Sequence, residues 1–530
     1  MASGNPSTYL PVPVEGYRSD LMAMHMPPRA CWDANNVLVH DGSLRPRPAH
    51  RRLGATGLTS RPLSITQWSS EVEHHAIVCA TRSGWYHLNK ATNIWSSITG
   101  NALHGGNSAQ TVFRTFERGG ITYLLGTNGV DAPKVWNGAA ATYSDVQGGP
   151  PSARGMVISV NRVVLLGAGP DRLLVDTSAF NNFDAGWGTV QQTLLGDTPG
   201  EIVCGLEINN INHIIFKTDA IYRGIAQAEF FGTATPFRYE VVASDVPGPV
   251  APNAVCRLPD GTMTYLGGDG GLYVFDGVRP MEMGRHIRHH VLKTWDYNKR
   301  EEAFLAFDPY YKLLWVWYQH TAGGGTKGFV CATDQGVQGL GWPMWPVSLP
   351  ATWTASCGAP IITDTVQTIG DLAGTTLGAL TGSLGSLRTS TPRILFGISS
   401  GTMFYHDWSE NAGVYKDENE NPAGDPHSIP ISFKTGLSDL GAADRWKTLH
   451  ELEHTVQLQA DETISLSLTM SDYGEEPTTS AAQSLTSTTD QRITQHRESA
   501  RWFGMALSAT IGRLFKWSGA VAFFRPRGRR

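Results

Sequence analysis

The residues best equipped for chemistry in this chain are the histidines of Gly284-Arg-His-Ile-Arg-His-His290. His286, His289 and His290 offer two metal ligands at a usable spacing, but no third ligand stands at a recognisable distance from them. The run therefore reads as a polar, partly exposed segment after a hairpin. His74 and His75 open a strand, where neighbouring side chains point to opposite faces, which makes a poor chelator. The six cysteines, at 31, 79, 204, 256, 331 and 357, contain no C-x-x-C pair. They fit neither a zinc site nor a disulfide framework, and buried free thiols in a reducing compartment are expected.

Acid–base chemistry fares no better. Glycoside hydrolysis needs two facing carboxylates, and nothing in the sequence pairs any two of the 47 acidic residues. The Ser-x-Asp-x-Gly-x-x-Trp turn that sialidases repeat does not occur; the nearest stretch, at Ser144-Asp145, lacks the spacing and the Trp. Gly-Ala-Gly-Pro at 167–170 and Gly-Gly-Asp-Gly-Gly at 267–271 lack the lysine and the following helix of a phosphate loop. Asp269-Gly270 and Asp439-Leu-Gly441 lack the twelve-position calcium loop, and no Gly-x-Ser-x-Gly nucleophile elbow is read in the sequence. The sequence thus predicts no catalytic residue, no cofactor and no metal.

Charged residues are only 17% of the chain, against about 25% in an average soluble domain, while 41% are hydrophobic, which excludes a disordered chain. The net charge of -5 argues against a free nucleic-acid binder, although arginines gather at Arg45, Arg47, Arg51 and Arg52 and at Arg525, Arg527, Arg529 and Arg530. Those clusters suit solvated ends or salt bridges to a neighbouring subunit, with contact to DNA phosphates as the alternative. No signal peptide or membrane span is read from the sequence.

The elements that would position any site are short strands. Candidates are His75–Ala80, Thr122–Leu125, Val157–Leu166, His213–Lys217, Thr262–Leu266, Ala303–Phe307, Leu313–Tyr318 and Arg393–Gly397, all rich in β-branched and aromatic residues and bounded by turn formers. A strand, a Gly-containing turn and a second strand ending in an aromatic recur, as in Ile77 to Tyr86 and Met263 to Gly277. Units of four strands at about 40–55 residues predict an all-β chain folded as a β-propeller. About seven blades are expected between 62 and 410, with Trp95, Trp136, Tyr222 and Tyr273 filling the space between them.

The expected divisions are an extended arm at 1–30, the propeller with its entry strand at 31–410 and a linker at 411–429. A β-sandwich-like domain or inserted sheet at 430–515 and a basic tail at 516–530 follow. The strand around Val37–Val39 is a candidate to close the ring.

Trp32-Asp-Ala-Asn-Asn-Val-Leu-Val-His-Asp-Gly-Ser-Leu-Arg-Pro-Arg-Pro48 resembles the N-terminal segment of tail proteins of short-tailed bacteriophages, with Ala49 where glycine is usual. Leu272 to Gly284, Ala220-Ile-Tyr222 and Ile431 to Gly441 look like further parts of the same proteins. The resemblance implies a tail hub, nozzle or DNA-stabilisation protein: a homo-oligomeric ring of six subunits in the virion tail, made in the host cytoplasm. It implies a portal adaptor above, a needle, fibre or tailspike below, and non-specific contact with double-stranded DNA in the channel. Asn35, Gly42, Arg45, Arg47 and Pro48 would set the entry strand, and Asp276, Gly277 and Pro280 a blade turn. Gly436 and Gly441 would shape a loop that meets a neighbour. For Arg45 and Arg47, salt bridges within the chain and across an interface stay equally open. A carbohydrate-binding or carbohydrate-degrading propeller, and a cellular propeller scaffold with peptide partners, are the alternatives.

Overall fold

The computed structural model describes residues 6–527 apart from 72, 91, 228–234, 321–325, 337–340, 367–387, 409–414, 422, 442–444, 459–462, 473–475, 487–492 and 512–513. Short apolar runs separated by turn residues become antiparallel strands, many of them meeting a sequence neighbour through a tight turn. Asp41-Gly42 shows why: both residues take positive φ (50° and 69°), as a two-residue hairpin turn requires. The turn joins Val37–His40 to Ser43–Pro46.

Sheet 1 comprises Pro62–Trp68, Ala76–Thr81, Trp85–Asn89 and Ile94–Ser97; sheet 2 comprises Val112–Arg118, Ile121–Thr127, Lys134–Trp136 and Ser144–Asp145. Sheet 3 holds Ala153–Ser159, Arg162–Ala168, Leu174–Thr177 and Gln191–Leu194; sheet 4 holds Ile202–Glu207, Asn212–Lys217, Ala220–Ala226 and Phe237–Ser244. Sheet 5 is Val255–Arg257, Met263–Leu266, Leu272–Phe275 and Pro280–Glu282; sheet 6 is Phe304–Asp308, Leu313–Gln319, Thr326–Ala332 and Met344–Ser348. Sheet 7 combines Ala355–Val366, Arg388–Ile398 and Met403–Asp407 with Ala49–Leu53 from far upstream.

Two larger sheets take strands from both ends of the chain. Sheet 8 places Phe515–Pro526 between Lys447–Leu458 and Ser43–Pro46, and Ser7–Leu10 also pairs with Phe515–Pro526. Sheet 9 runs Cys31–Asn35, Ile429–Thr435, Trp502–Ile511, Thr463–Ser471, with two short strands on the last. One cluster of buried side chains, including Leu44, Phe433, Leu449 and Trp517, joins these two sheets.

The expectation of an all-β chain holds: the chain is mostly strand (54%). The expected propeller does not. Among the described residues the strands form nine separate small antiparallel sheets of four to seven strands, none closed into a barrel or propeller. The physical reason is that the strand-pairing hydrogen bonds stay within each sheet, so a repeat in the sequence encodes a local four-strand unit. How the units are disposed depends on side-chain packing, which the repeat does not carry. Trp136 packs on Trp68 of sheet 1 (5.2 Å between ring centroids), and Trp95, Tyr222 and Tyr273 likewise lie in clusters shared by two sheets.

Other expectations need correction in detail. Val37–Val39 closes nothing; it is a strand of sheet 8. The stretch Val157–Leu166 is a hairpin, turning at Val160-Asn161 with positive φ at both residues; Ser159, Asn161 and Arg162 interrupt the apolar run there, and the β-branched Val160 takes a conformation such a residue rarely adopts. Residues 516–526 belong to a strand rather than a basic tail. The stretch 411–429 lies partly outside the described residues, and its Tyr415 and Asp417 are buried.

Candidate functional site

Sheets 3, 4 and 5 present loops around an open cleft of about 900 Å³. The link from sheet 4 to sheet 5, Asp245-Val-Pro-Gly-Pro249, forms one wall. It lies so close to the Lys217-Thr218 turn that a Cβ on Gly248 would come within 1.7 Å of the Lys217 carbonyl oxygen; the Gly248 amide donates to the Thr218 carbonyl at 2.8 Å. The opposite wall is a 3-10 helix, Tyr297–Glu302, whose Asp296 accepts from the Asn298 amide as a cap. It follows a short helix, α1 (Arg288–Thr294).

Polar side chains at the cleft and away from it cross between sheets. Arg154 of sheet 3 pairs with Glu301 (3.0 Å) and with Glu201 at the mouth of sheet 4 (3.7 Å). Arg61 pairs with Glu302 at 2.5 Å. Arg114 of sheet 2 reaches Glu207 (2.8 Å) and the Gly205 carbonyl (3.0 Å) of sheet 4. Asn253 donates to Ser64 Oγ (2.9 Å), and its amide donates to Gln110 Oε1 (3.0 Å). Of these ties, the Arg154 pairs join residues that line the cleft, while Arg114 and Asn253 line a separate hollow.

Five carboxylates (Glu201, Asp219, Asp245, Asp269, Glu301) and two guanidiniums (Arg154, Arg300) line the cleft. Arg154 engages Glu201 and Glu301, while Arg288 engages Asp269 at 2.7 Å. Asp219 and Asp245 are exposed and form no ion pair among the described residues; Asp219 accepts only from the Thr218 hydroxyl at 2.7 Å. Asp245 sits in the left-handed region (φ 56°), which a short polar side chain tolerates. Tyr297 is 59% exposed, with the Arg300 guanidinium 4.6 Å from its ring. An adjoining hollow of about 530 Å³ shares Tyr297, Arg300 and Glu301 with this cleft, extending it into a trough.

Nearby groups are structural. Tyr273 donates to Asp269 Oδ2 at 2.6 Å, and its hydroxyl is pushed well above its usual range by burial and by that carboxylate. The Lys217 ammonium is pushed down by burial and donates to the carbonyls of Leu195 (2.8 Å) and Thr198 (2.7 Å).

The residues expected from sequence are scattered elsewhere. Asn35 ends a strand of sheet 9 and accepts from Ser348 Oγ at 2.9 Å; Gly42 is the hairpin turn of sheet 8. Arg45 donates to Ser43 (3.1 Å) and Asp41 (3.0 Å) and lies over Trp408. Arg47 is buried against Asp417, and the Pro48 carbonyl accepts from it at 2.9 Å. The Asp276 carboxylate accepts from the Arg279 and Val278 amides (3.0 and 2.8 Å), which hold it below its usual range. The Gly277 carbonyl accepts from Arg223, and Pro280 opens the last strand of sheet 5. Gly436 donates to the Ala30 carbonyl at 2.8 Å, so its contact is with the chain's own N-terminal segment. Gly441, at φ 78°, donates to Asp439. Arg45 and Arg47 thus find their partners within the chain.

Among the described residues no three His, Cys, Asp or Glu group closely enough to hold a metal ion. All six cysteines are unbridged; five are buried, and Cys256 is half-buried. Gly397-Ile-Ser-Ser-Gly401, passed over in the sequence, has the Gly-x-Ser-x-Gly spacing of a nucleophile elbow. It forms a strand–turn–strand hairpin rather than a strand–helix turn. The cleft was missed altogether. Its only advance signal was the charged run Asn298-Lys-Arg-Glu-Glu302 after Asp296, wedged between apolar segments.

No family model matches this chain, and no curated protein matches it. Among solved structures, Raptor from Chaetomium thermophilum is similar over 69% of this chain and 29% of its own, at 8% identity and TM-score 0.41. The extracellular domain of a putative one-component system from B. thetaiotaomicron is similar over 92% and 62%, at 8% identity and TM-score 0.40. This chain therefore spans less than two thirds of either, and neither likeness carries an argument.

The likeness to bacteriophage tail proteins is corrected here. No phage-specific likeness was found, and the closed hub architecture on which a tail role rested is not seen.

Proposed function

We propose that this protein is a non-catalytic interaction module whose trough beside Tyr297 receives an extended, lysine- or arginine-bearing segment of another protein. The observation that carries this reading is the pair of exposed, unpaired carboxylates, Asp219 and Asp245, on a cleft with five carboxylates to two guanidiniums. A surface whose carboxylates outnumber its cations attracts cationic groups and raises their encounter rate, although Lys217 beneath Asp219 offsets part of that charge. Tyr297 adds an exposed ring to cover the stem of a long cationic side chain, and Pro199, Pro247 and Pro249 stiffen the wall. Rigid walls lower the entropic cost of binding.

The cleft's composition supports the non-catalytic part. The residues lining the trough include no histidine or cysteine; Lys299 and Ser108 stand on its extension, and the Thr218 hydroxyl is occupied with Asp219. Three of its five carboxylates are engaged by guanidiniums.

Fluorescence anisotropy with a labelled ten-residue Lys/Arg peptide tests the reading. Saturable binding that weakens about tenfold, or ~1.4 kcal/mol, in the Asp219→Asn/Asp245→Asn variant supports it. Equal affinity for the variant, or for a Glu-rich peptide, refutes it.

A further inference from the structure

A second cleft, of about 240 Å³, opens where the segment after Gly16 passes α1. Its frame is fixed by main-chain bonds. The Tyr17 amide donates to the Met344 carbonyl (2.8 Å), Arg18 to Cys31 (2.9 Å) and Ser19 to His286 (2.9 Å). Tyr17, Arg18, Trp32, His289, His290 and Lys293 line it.

The cleft is cationic in a way the fold leaves uncompensated. Arg18 is engaged by Asp20, at 3.0 and 2.7 Å. His289 and Lys293 are exposed and have no carboxylate within ion-pair distance among the described residues. Glu15 and Asp20 act on Arg18, and Asp33, on the Tyr17 side, faces Lys434 at 3.9 Å. His290 records the local field: burial first, then the charges of Lys327, His320, Lys293 and His289, push its pKa down to about 4. Its Nδ1 lies 2.9 Å from the Tyr17 hydroxyl, whose pKa burial raises to about 12. Where the Tyr17 hydroxyl donates to Nδ1, the imidazole proton sits on Nε2.

We propose that this cleft is an anion site, taking a small phosphate- or carboxylate-bearing group against Lys293, His289 and His290. It is separate from the acidic trough, although α1 serves both: Arg288 pairs with Asp269 of the trough, while His289 and Lys293 face the second cleft.

Isothermal titration calorimetry of the full chain with inorganic phosphate and, separately, succinate tests the site and tells the two sources apart. The expected result is binding of at least one of them with Kd below about 1 mM, weakened at least tenfold by Lys293→Met and by His289→Asn. Both side chains are exposed, so both variants should melt like the parent. Absence of binding by both anions at 20-fold that concentration, or affinity unchanged in both variants, would overturn the proposal.

Discussion

Arg47 and Asp417, 370 positions apart in the chain, meet as a two-pronged ion pair with N–O distances of 3.0 and 2.6 Å, each side chain 1% exposed. Arg47 Nε also donates to Asn36 (3.0 Å), and the His50 amide donates to Asp417 Oδ1 (2.9 Å). Burial pushes the Asp417 carboxyl up, but Arg47, His50 and their hydrogen bonds outweigh it and hold the group well below the usual carboxylate range. The pair fastens the N-terminal strands to the segment that leads into sheet 9. Removing one member strands the other as an unpaired buried charge.

Asp417→Asn or Arg47→Met should therefore lower unfolding stability by about 3–5 kcal/mol. The Arg47→Met/Asp417→Leu double variant should recover a large share, because apolar replacement of both removes the unpaired charge. Urea unfolding of the three variants checks this; strictly additive losses would show that the two side chains do not act as a pair.

Stability should fall in mild acid. Burial lowers the pKa of His50, His213, His290, His454 and His496 to about 4. A histidine with a depressed folded pKa contributes its full stability above the unfolded value of about 6.5 and loses it as pH falls toward 4. Asp308, raised to about 6 by burial, works the other way, since the folded state takes up its proton first. Five histidines outweigh one aspartate, so Tm should drop steadily from pH 6.5 to 4.5. A flat or rising Tm across that interval would contradict the burial of these rings.

Gly436→Ala should be destabilising by about 1–3 kcal/mol. A Cβ there would meet the Pro27 carbonyl oxygen at 2.0 Å, in backbone that cannot retreat like a flexible side chain. Gly42→Ala, with nothing within 4 Å, is the contrast: its cost is limited to the positive φ. Thermal melts of the two separate steric from conformational loss, and the larger loss is expected at Gly436.

Much of the strand content was legible because β-branched runs bounded by Gly, Asn and Asp leave few other options. Leu313–Gln319 and Asn212–Lys217 show it, starting within a residue of their expected positions. At Val160-Asn161 the local signal was divided: Asn161 suits positive φ, while β-branched Val160 opposes it and is held there by tertiary contact, its amide donating to the Asn210 carbonyl. The strand Ala49–Leu53 joins Met403–Asp407 across most of the chain, and no local pattern announces such a pairing. The trough is built from single charged residues on loops of different sheets. Arg154, Glu201, Asp245 and Glu301 carry no shared spacing, so only folding brings them together.

The location of the bound basic segment tests the central claim most directly. A ten-residue Lys/Arg peptide carrying a photo-crosslinker, irradiated with the full chain and mapped by mass spectrometry, should attach within 217–222, 245–250 and 297–302. Excess unlabelled peptide should abolish those attachments. Crosslinks spread over unrelated surfaces, or concentrated away from Asp219, Asp245 and Tyr297, would contradict the account.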